Sequence, residues 1–152
     1  MGHEPRVRVS LLLRWQGRVL LCRQEKPGKE YWLLPGGGVE AGETLEESLH
    51  RELGEELGLW DTIQLEGPIA VAESIAPNFQ AGDRHIVHVI FGADLSNRSL
   101  DDVEIQDPVI RGARLFPLDD LQEIVLHPPM KRFVERWRPG DPAVYLGSLW
   151  AR

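Results

Sequence analysis

The chain has 152 residues, 42% of them hydrophobic and 27% charged, which suits one globular domain with one core spanning residues 1–152. With 24 acidic and 17 basic side chains it carries a formal net charge of −7 and has no lysine–arginine cluster, so a nucleic-acid polymer is excluded as a partner. The single cysteine, Cys22, rules out an intrachain disulfide and reads as a small hydrophobe in a strand; no apolar run approaches the roughly 18 residues of a membrane helix, and a cytoplasmic location is expected.

In chain order, Val7 to Trp15 is rich in Val and Leu and predicts a strand. Gln16-Gly17 predicts a tight turn into a second, antiparallel strand from Arg18 to Gln24. A polar loop is expected from Glu25 to Glu30, then a short strand from Tyr31 to Leu34, stopped by Pro35 and Gly36-Gly37-Gly38. Thr44 to Leu57 predicts a helix, with Thr44 as N-cap, Glu47 completing a capping box and Gly58 just past the end. Ile69 to Ile75 and His85 to Asp94 read as strands, and the acidic stretch from Ser96 to Pro108 as a loop. Arg114 to Phe116 reads as a short strand, Asp119 to about Leu126 as a capped helix, Met130 to Trp137 as a second helical stretch and Val144 to Trp150 as a last strand. Strands mixed with two helical regions, without a regular βαβ alternation, predict an α/β domain of the α+β type with a mixed sheet.

The segment GGVEAGETLEESLHRELGEELGL, Gly37 to Leu59, carries the chemistry. At 100° per residue, Leu45, Leu49, Leu53 and Leu57 form one apolar stripe. Glu52 and Glu56 stand one above the other, Glu55 flanks the same face, and Glu56 falls at the edge of the stripe. Carboxylates so placed repel one another and lose water, and hard oxygen donors at this density suit Mg²⁺ or Mn²⁺ rather than zinc. A solvated acidic helix with pairs such as Glu47–Arg51 is the competing reading, but it leaves the glycines and the spacing unexplained.

These residues resemble the Nudix box of MutT-like hydrolases, G-x5-E-x7-R-E-U-x-E-E-x-G-U with U aliphatic: Gly37, Glu43, Arg51-Glu52, Leu53, Glu55-Glu56, Gly58 and Leu59 fill every fixed position. The resemblance implies a mixed β-sheet between helices, the box forming a loop-helix-loop, and metal-dependent hydrolysis of a pyrophosphate in a nucleoside diphosphate linked to another moiety. It implies Glu52, Glu55 and Glu56 as catalytic metal ligands, with orienting or deprotonating water as an alternative role for Glu52. It implies Glu43 and Arg51 as structural partners that hold the loop to the helix, and Gly37 and Gly38 as backbone closing over phosphate or metal. The glycine run is not a P-loop, because no Lys-Ser/Thr follows it.

Outside the box, Glu104 is the candidate general base, on an acidic loop where relatives resembling ADP-ribose pyrophosphatases carry Asp-Pro-Glu and this chain has Asp107-Pro108-Val109. Asp101, Asp102 and Asp107 are alternatives, each with a plain solvated loop as the competing reading. Glu73 is balanced between a site-facing and a solvent-facing strand position. Arg23 and Arg84 are candidates for substrate phosphate or ribose, and Tyr31, Trp32 or Phe79 for base stacking, with Trp32 favoured as core. His85 and His88, three apart in a strand, point to opposite faces and are read as structural. Trp137 and Trp150 are read as ordinary packing, with a homodimer edge as the alternative. The expected substrate is a small nucleotide, ADP-ribose or a similar compound; a house-cleaning (d)NTP pyrophosphohydrolase and a non-catalytic nucleotide sensor are the competing functions.

Overall fold

The computed structural model describes residues 4–26, 28–58, 63–95 and 112–150. The first strand, β1 (Arg6–Trp15), turns at Gln16-Gly17, whose backbone takes φ of 45° and 73°, into β2 (Arg18–Lys26). Two successive positive φ values match the strand twist of a tight hairpin, and glycine supplies one of them without steric cost. The two strands pair only at Arg14–Val19 and Trp15–Arg18. Beyond that they part. Strand β3 (Lys29–Leu33) pairs with Cys22–Lys26 of β2, and β4 (Gly36–Gly38) pairs with Arg8–Ser10 of β1. The divergence opens space at the end of the sheet away from the Gln16-Gly17 turn.

Helix α1 (Leu45–Leu57) follows, then β5 (Glu66–Ile75), β6 (His85–Asp94), β7 (Ala113–Pro117), a 3₁₀ turn (Leu118–Glu123), α2 (Lys131–Arg136) and β8 (Val144–Ser148). The strands form one mixed sheet in the order β3-β2-β1-β6-β5-β8, with β4 added to β1 and β7 to β2; β1–β6 and β5–β8 are the parallel pairs. Alternation along β1 divides the core by face. Val9, Leu11 and Leu13 pack with Leu49, Leu53 and Leu57 of α1. Leu12 packs on the other side with Val19, Leu21, Trp32, Phe116, Val134 and Trp137. The sheet therefore lies between α1 and the C-terminal 3₁₀–α2 segment, as expected for a mixed α+β fold. No helix among the described residues is long and apolar enough to cross a membrane.

Four local expectations need correction. The polar loop from Glu25 to Glu30 is narrower, because β2 runs to Lys26 and β3 starts at Lys29. Gly36-Gly37-Gly38 does not merely stop a strand; it is itself paired with β1, which gains a neighbour without side-chain interference. Asp119 caps nothing: the element begins after Pro117, makes no side-chain cap and is 3₁₀ rather than α, ending at Glu123. The last strand ends at Ser148 instead of Trp150.

Candidate active site

The Thr44 hydroxyl accepts from the Glu47 amide at 3.1 Å and starts α1; Gly58, at φ 70°, ends it with its amide on the Gly54 carbonyl at 2.9 Å. Leu49, Leu53 and Leu57 anchor the helix in the core, and that fixes the azimuth of the carboxylates between them. The Glu52 side chain is 16% exposed and that of Glu55 is 55% exposed. Glu56 lies half-buried at the edge of the leucine stripe.

Arg51 organises the loop ahead of the helix. Its Nε and Nη2 donate to Glu43 at 2.7 and 3.0 Å, a two-point clamp, and Nη2 also reaches the Gly38 carbonyl at 3.2 Å. Glu43 in turn accepts the Glu40 amide at 3.0 Å. The guanidinium holds the Glu43 carboxyl far below its ordinary range, at about 2, and Arg51 is itself shifted upward by Glu43. Arg51 Nη1 lies 3.0 Å from Glu52 and 3.4 Å from Glu55, so one cation spans both acids. Gly37 is packed against this group: a Cβ there would stand 2.3 Å from the Glu52 carboxyl carbon.

Glu56 faces a different environment. Cys22 Sγ lies 3.8 Å from its Oε2, and it accepts a backbone hydrogen bond from Gly36. Burial raises its pKa, with Arg8 opposing that rise and Glu52 adding to it. Burial also pushes the Cys22 thiol up to about 12, with Glu56 contributing, so Cys22 stays protonated and is no nucleophile at neutral pH. A cavity of about 490 Å³ opens here, lined by Glu55 and Glu56 on the helix side and by Arg8, Cys22, Arg23, Gln24 and Leu33 on the strand side. It occupies the gap left where β1 and β2 part.

Of the residues singled out in the sequence, Glu52, Glu55, Glu56, Glu43, Arg51, Gly37 and Gly38 converge on the loop and α1, and Arg23 joins Glu55 and Glu56 at the cavity. Arg84 lies on a separate cavity of about 380 Å³ with Arg6, Asp83 and His85. Glu104, with Asp101, Asp102 and Asp107, lies outside the described residues. Glu73 is engaged elsewhere, 2.5 Å from the Tyr145 hydroxyl and 3.1 Å from His85 Nε2. Trp32 is core, Tyr31 packs edge-on against His127, and the exposed Phe79 packs edge-on against His85. His88 is buried on Ser74 at 2.9 Å, and burial followed by Arg8 lowers it to about 4.

Sequence reasoning missed Arg8 and the placement of Cys22. The only available signal for Arg8 was a charged residue within the apolar run VRVSLLL; its parity is that of Leu12, away from α1, and only the parting of β1 and β2 brings it to the cavity with Glu56.

The donor set suits a divalent cation in its chemistry: three carboxylates on one helix, one of them half-buried and raised by that burial. Among the described residues no three acidic, thiol or imidazole groups are already drawn into a cage, and Arg51 is the charge spanning Glu52 and Glu55.

Residues 2–137 match the NUDIX domain family. The chain is 30% identical over 146 residues to an ADP-ribose pyrophosphatase of Methanocaldococcus jannaschii, covering 90% of this chain and 77% of that protein. It is 34% identical over 114 residues to the nucleoside triphosphatase NudI of Escherichia coli, covering 68% and 79%. Its fold is similar to that of a mutator MutT protein from Bacillus halodurans, with a TM-score of 0.70 at 20% identity over 92% of this chain and 86% of that one. With the box filled, its helix anchored and the family matched over most of its length, the chain belongs to the Nudix family and is a pyrophosphohydrolase.

Proposed function

We propose that this chain splits the pyrophosphate bond of a nucleoside diphosphate derivative, ADP-ribose or a similar compound, in the cytoplasm and as a single domain over residues 1–152. The observation that carries the reading is the cavity between α1 and the parted strands, where Glu55 and Glu56 face Arg8 and Arg23. A diphosphate entering it meets cationic side chains on one wall and cation-binding carboxylates on the other. The 30% identity to an ADP-ribose pyrophosphatase, extending over 90% of the chain, supports the substrate class.

Nudix hydrolases use divalent cations and act on small nucleotides. Here Glu52, Glu55 and Glu56 would hold Mg²⁺, with Mn²⁺ the alternative, and the bound ion supplies neutralisation of phosphate oxygens and a more acidic water. The chain's own work is positional. Arg51 holds Glu52 and Glu55 in register with the loop through Glu43 and the Gly38 carbonyl. Gly37 leaves room for the Glu52 carboxyl directly over the backbone. The proton of the attacking water needs a carboxylate to receive it; Glu104 is the candidate, with Asp101, Asp102 and Asp107 on the same loop and Glu52 in the box as alternatives. Replacing Glu104 with Gln tests it: a large fall in kcat assigns the proton to Glu104, and an unchanged kcat removes Glu104 and leaves Glu52 and the three loop aspartates.

A second reading, hydrolysis of (d)NTPs, is favoured by the 34% identity to NudI over 68% of the chain. A Mg²⁺-supplemented panel of ADP-ribose, nucleotide sugars, dinucleoside polyphosphates and (d)NTPs tests both. Preferential cleavage of ADP-ribose or a nucleotide sugar is expected. Turnover of triphosphates alone replaces the first reading with the second, and binding without any turnover makes the chain a nucleotide sensor.

A further inference from the structure

We propose that Arg8, a residue of β1 outside the box, is a phosphate-binding residue of this site, contacting non-bridging oxygens of the substrate's diphosphate; this rests on the reading of the cavity as the substrate site. Three observations carry it. Arg8 lines the cavity together with Glu55, Glu56 and Arg23. Its Nη2 donates to the Leu34 carbonyl at 2.8 Å, which fixes the guanidinium plane immediately ahead of Pro35 and the glycine strand. Its side chain is half-buried and shares the cavity wall with the Glu56 carboxylate.

An arginine has five donors in a rigid fork, and the Leu34 carbonyl takes one of them. A half-buried guanidinium is favoured by an anion nearby, and on this cavity wall the Glu56 carboxylate is the leading one. Glu56 is also a carboxylate assigned to cation binding. Once its charge is neutralised, Arg8 is left facing the cavity without its carboxylate counterpart, and a diphosphate offers replacement oxygens in the bidentate geometry that the fork suits. His88, beside Arg8 across β1 and β6 and buried on Ser74, is neutral at physiological pH and adds no competing positive charge. Arg8 thus ties the resting state of the carboxylate cluster to the arrival of phosphate.

The test uses methylenediphosphonate, a hydrolysis-resistant diphosphate, with binding measured by titration calorimetry. At saturating Mg²⁺, Arg8→Met should weaken it by about tenfold or more, and Arg8→Lys, which keeps the charge but not the fork, should fall between the variant and the wild type. Arg132→Met on α2, exposed and remote, should bind like wild type. Without any divalent cation, Glu56→Gln should bind methylenediphosphonate more tightly than wild type, and adding Arg8→Met should remove that gain. A merely structural Arg8 would leave the cation-free gain in place. Wild-type-like binding by Arg8→Met or, where that variant does not fold, by Arg8→Lys overturns the proposal, as does wild-type protein that does not bind the diphosphonate at all. Arg8-dependent binding in a protein that hydrolyses none of the panel keeps this inference and sinks the proposed activity instead.

Discussion

Glu56 on α1 and Glu73 on β5 are both half-buried glutamates, and their surroundings treat them in opposite ways. Glu73 takes a hydroxyl from Tyr145 at 2.5 Å and pairs with His85 at 3.1 Å; these donors, Tyr145 first, lower its pKa. Its charge is satisfied by side chains already in place. Glu56 has a thiol at 3.8 Å, one backbone amide and the neighbourhood of Arg8, and burial outweighs them to raise its pKa. The first carboxylate is settled by its hydrogen bonds. The second is held in a state that a further cation would improve, which is the contrast expected between a structural acid and the metal-binding acid proposed for Glu56.

The comparison is broken most decisively at Glu56. Replacing it with Gln should cut kcat by about 10²–10³-fold, the scale expected when a group that organises transition-state charge is lost. The same variant should be more stable than wild type at pH 7. A carboxylate with a folded pKa above its unfolded one favours the folded state only while protonated, so its ionisation subtracts stability as pH rises, and the neutral amide avoids that cost. Steady-state kinetics and a thermal scan on one preparation check both; a Tm below wild type together with retained activity would return Glu56 to the settled class. Gly37→Ala should follow in size. Its Cβ would lie 2.3–2.5 Å from the Glu52 carboxyl atoms, and because these end a flexible side chain, the fold survives while the carboxylate moves. A displacement on that scale should cost about 100-fold in turnover with little change in Tm, and activity near wild type would show that the position of Glu52 is not critical.

Much of this site was legible because the loop and α1 are locally encoded. Capping at Thr44, the stripe of Leu49, Leu53 and Leu57 and the stop at Gly58 follow from spacing within one helix, and the direction of Glu56 follows with them. Arg8 and Cys22 were not legible, because they reach Glu56 only where β1 and β2 part and take different partners, a fact of pairing across distant segments. Glu73 stayed ambiguous for the same reason. Strand parity says which face a side chain is on, but its partner Tyr145 comes from β8, far along the chain and joined through a parallel pairing with a register shift. The 3₁₀ turn at Leu118–Glu123 was misread as an α-helix because Asp119 looks like a cap; the chain instead enters from Pro117 at the end of β7.

A smaller effect is expected at Glu43, which like Glu73 is satisfied by its neighbours but lies in the box. Its carboxyl, held at about 2 by Arg51, contributes stability that is fully present above its ordinary value of 4.5 and is lost as pH falls toward 2. Glu43→Gln should therefore lower Tm at neutral pH, and the gap between variant and wild type should close across the interval from pH 4.5 to about 2. A gap independent of pH would mean that Arg51 does not act on the ionised form.

The smallest effect belongs to Glu73→Gln. The amide still accepts from Tyr145 and keeps a polar contact with His85, so the cluster loses charge but not its shape. Because none of these three residues lines the cavity at Glu56, kcat and KM should stay within about twofold of wild type, the range of substitutions that leave transition-state contacts untouched. The Tyr145 hydroxyl, raised by its bond to Glu73, should titrate at lower pH in the variant, which ultraviolet difference spectra can read. A fall in kcat comparable to that of Glu56→Gln, with the tyrosine titration unmoved, would reverse the roles assigned to the two glutamates.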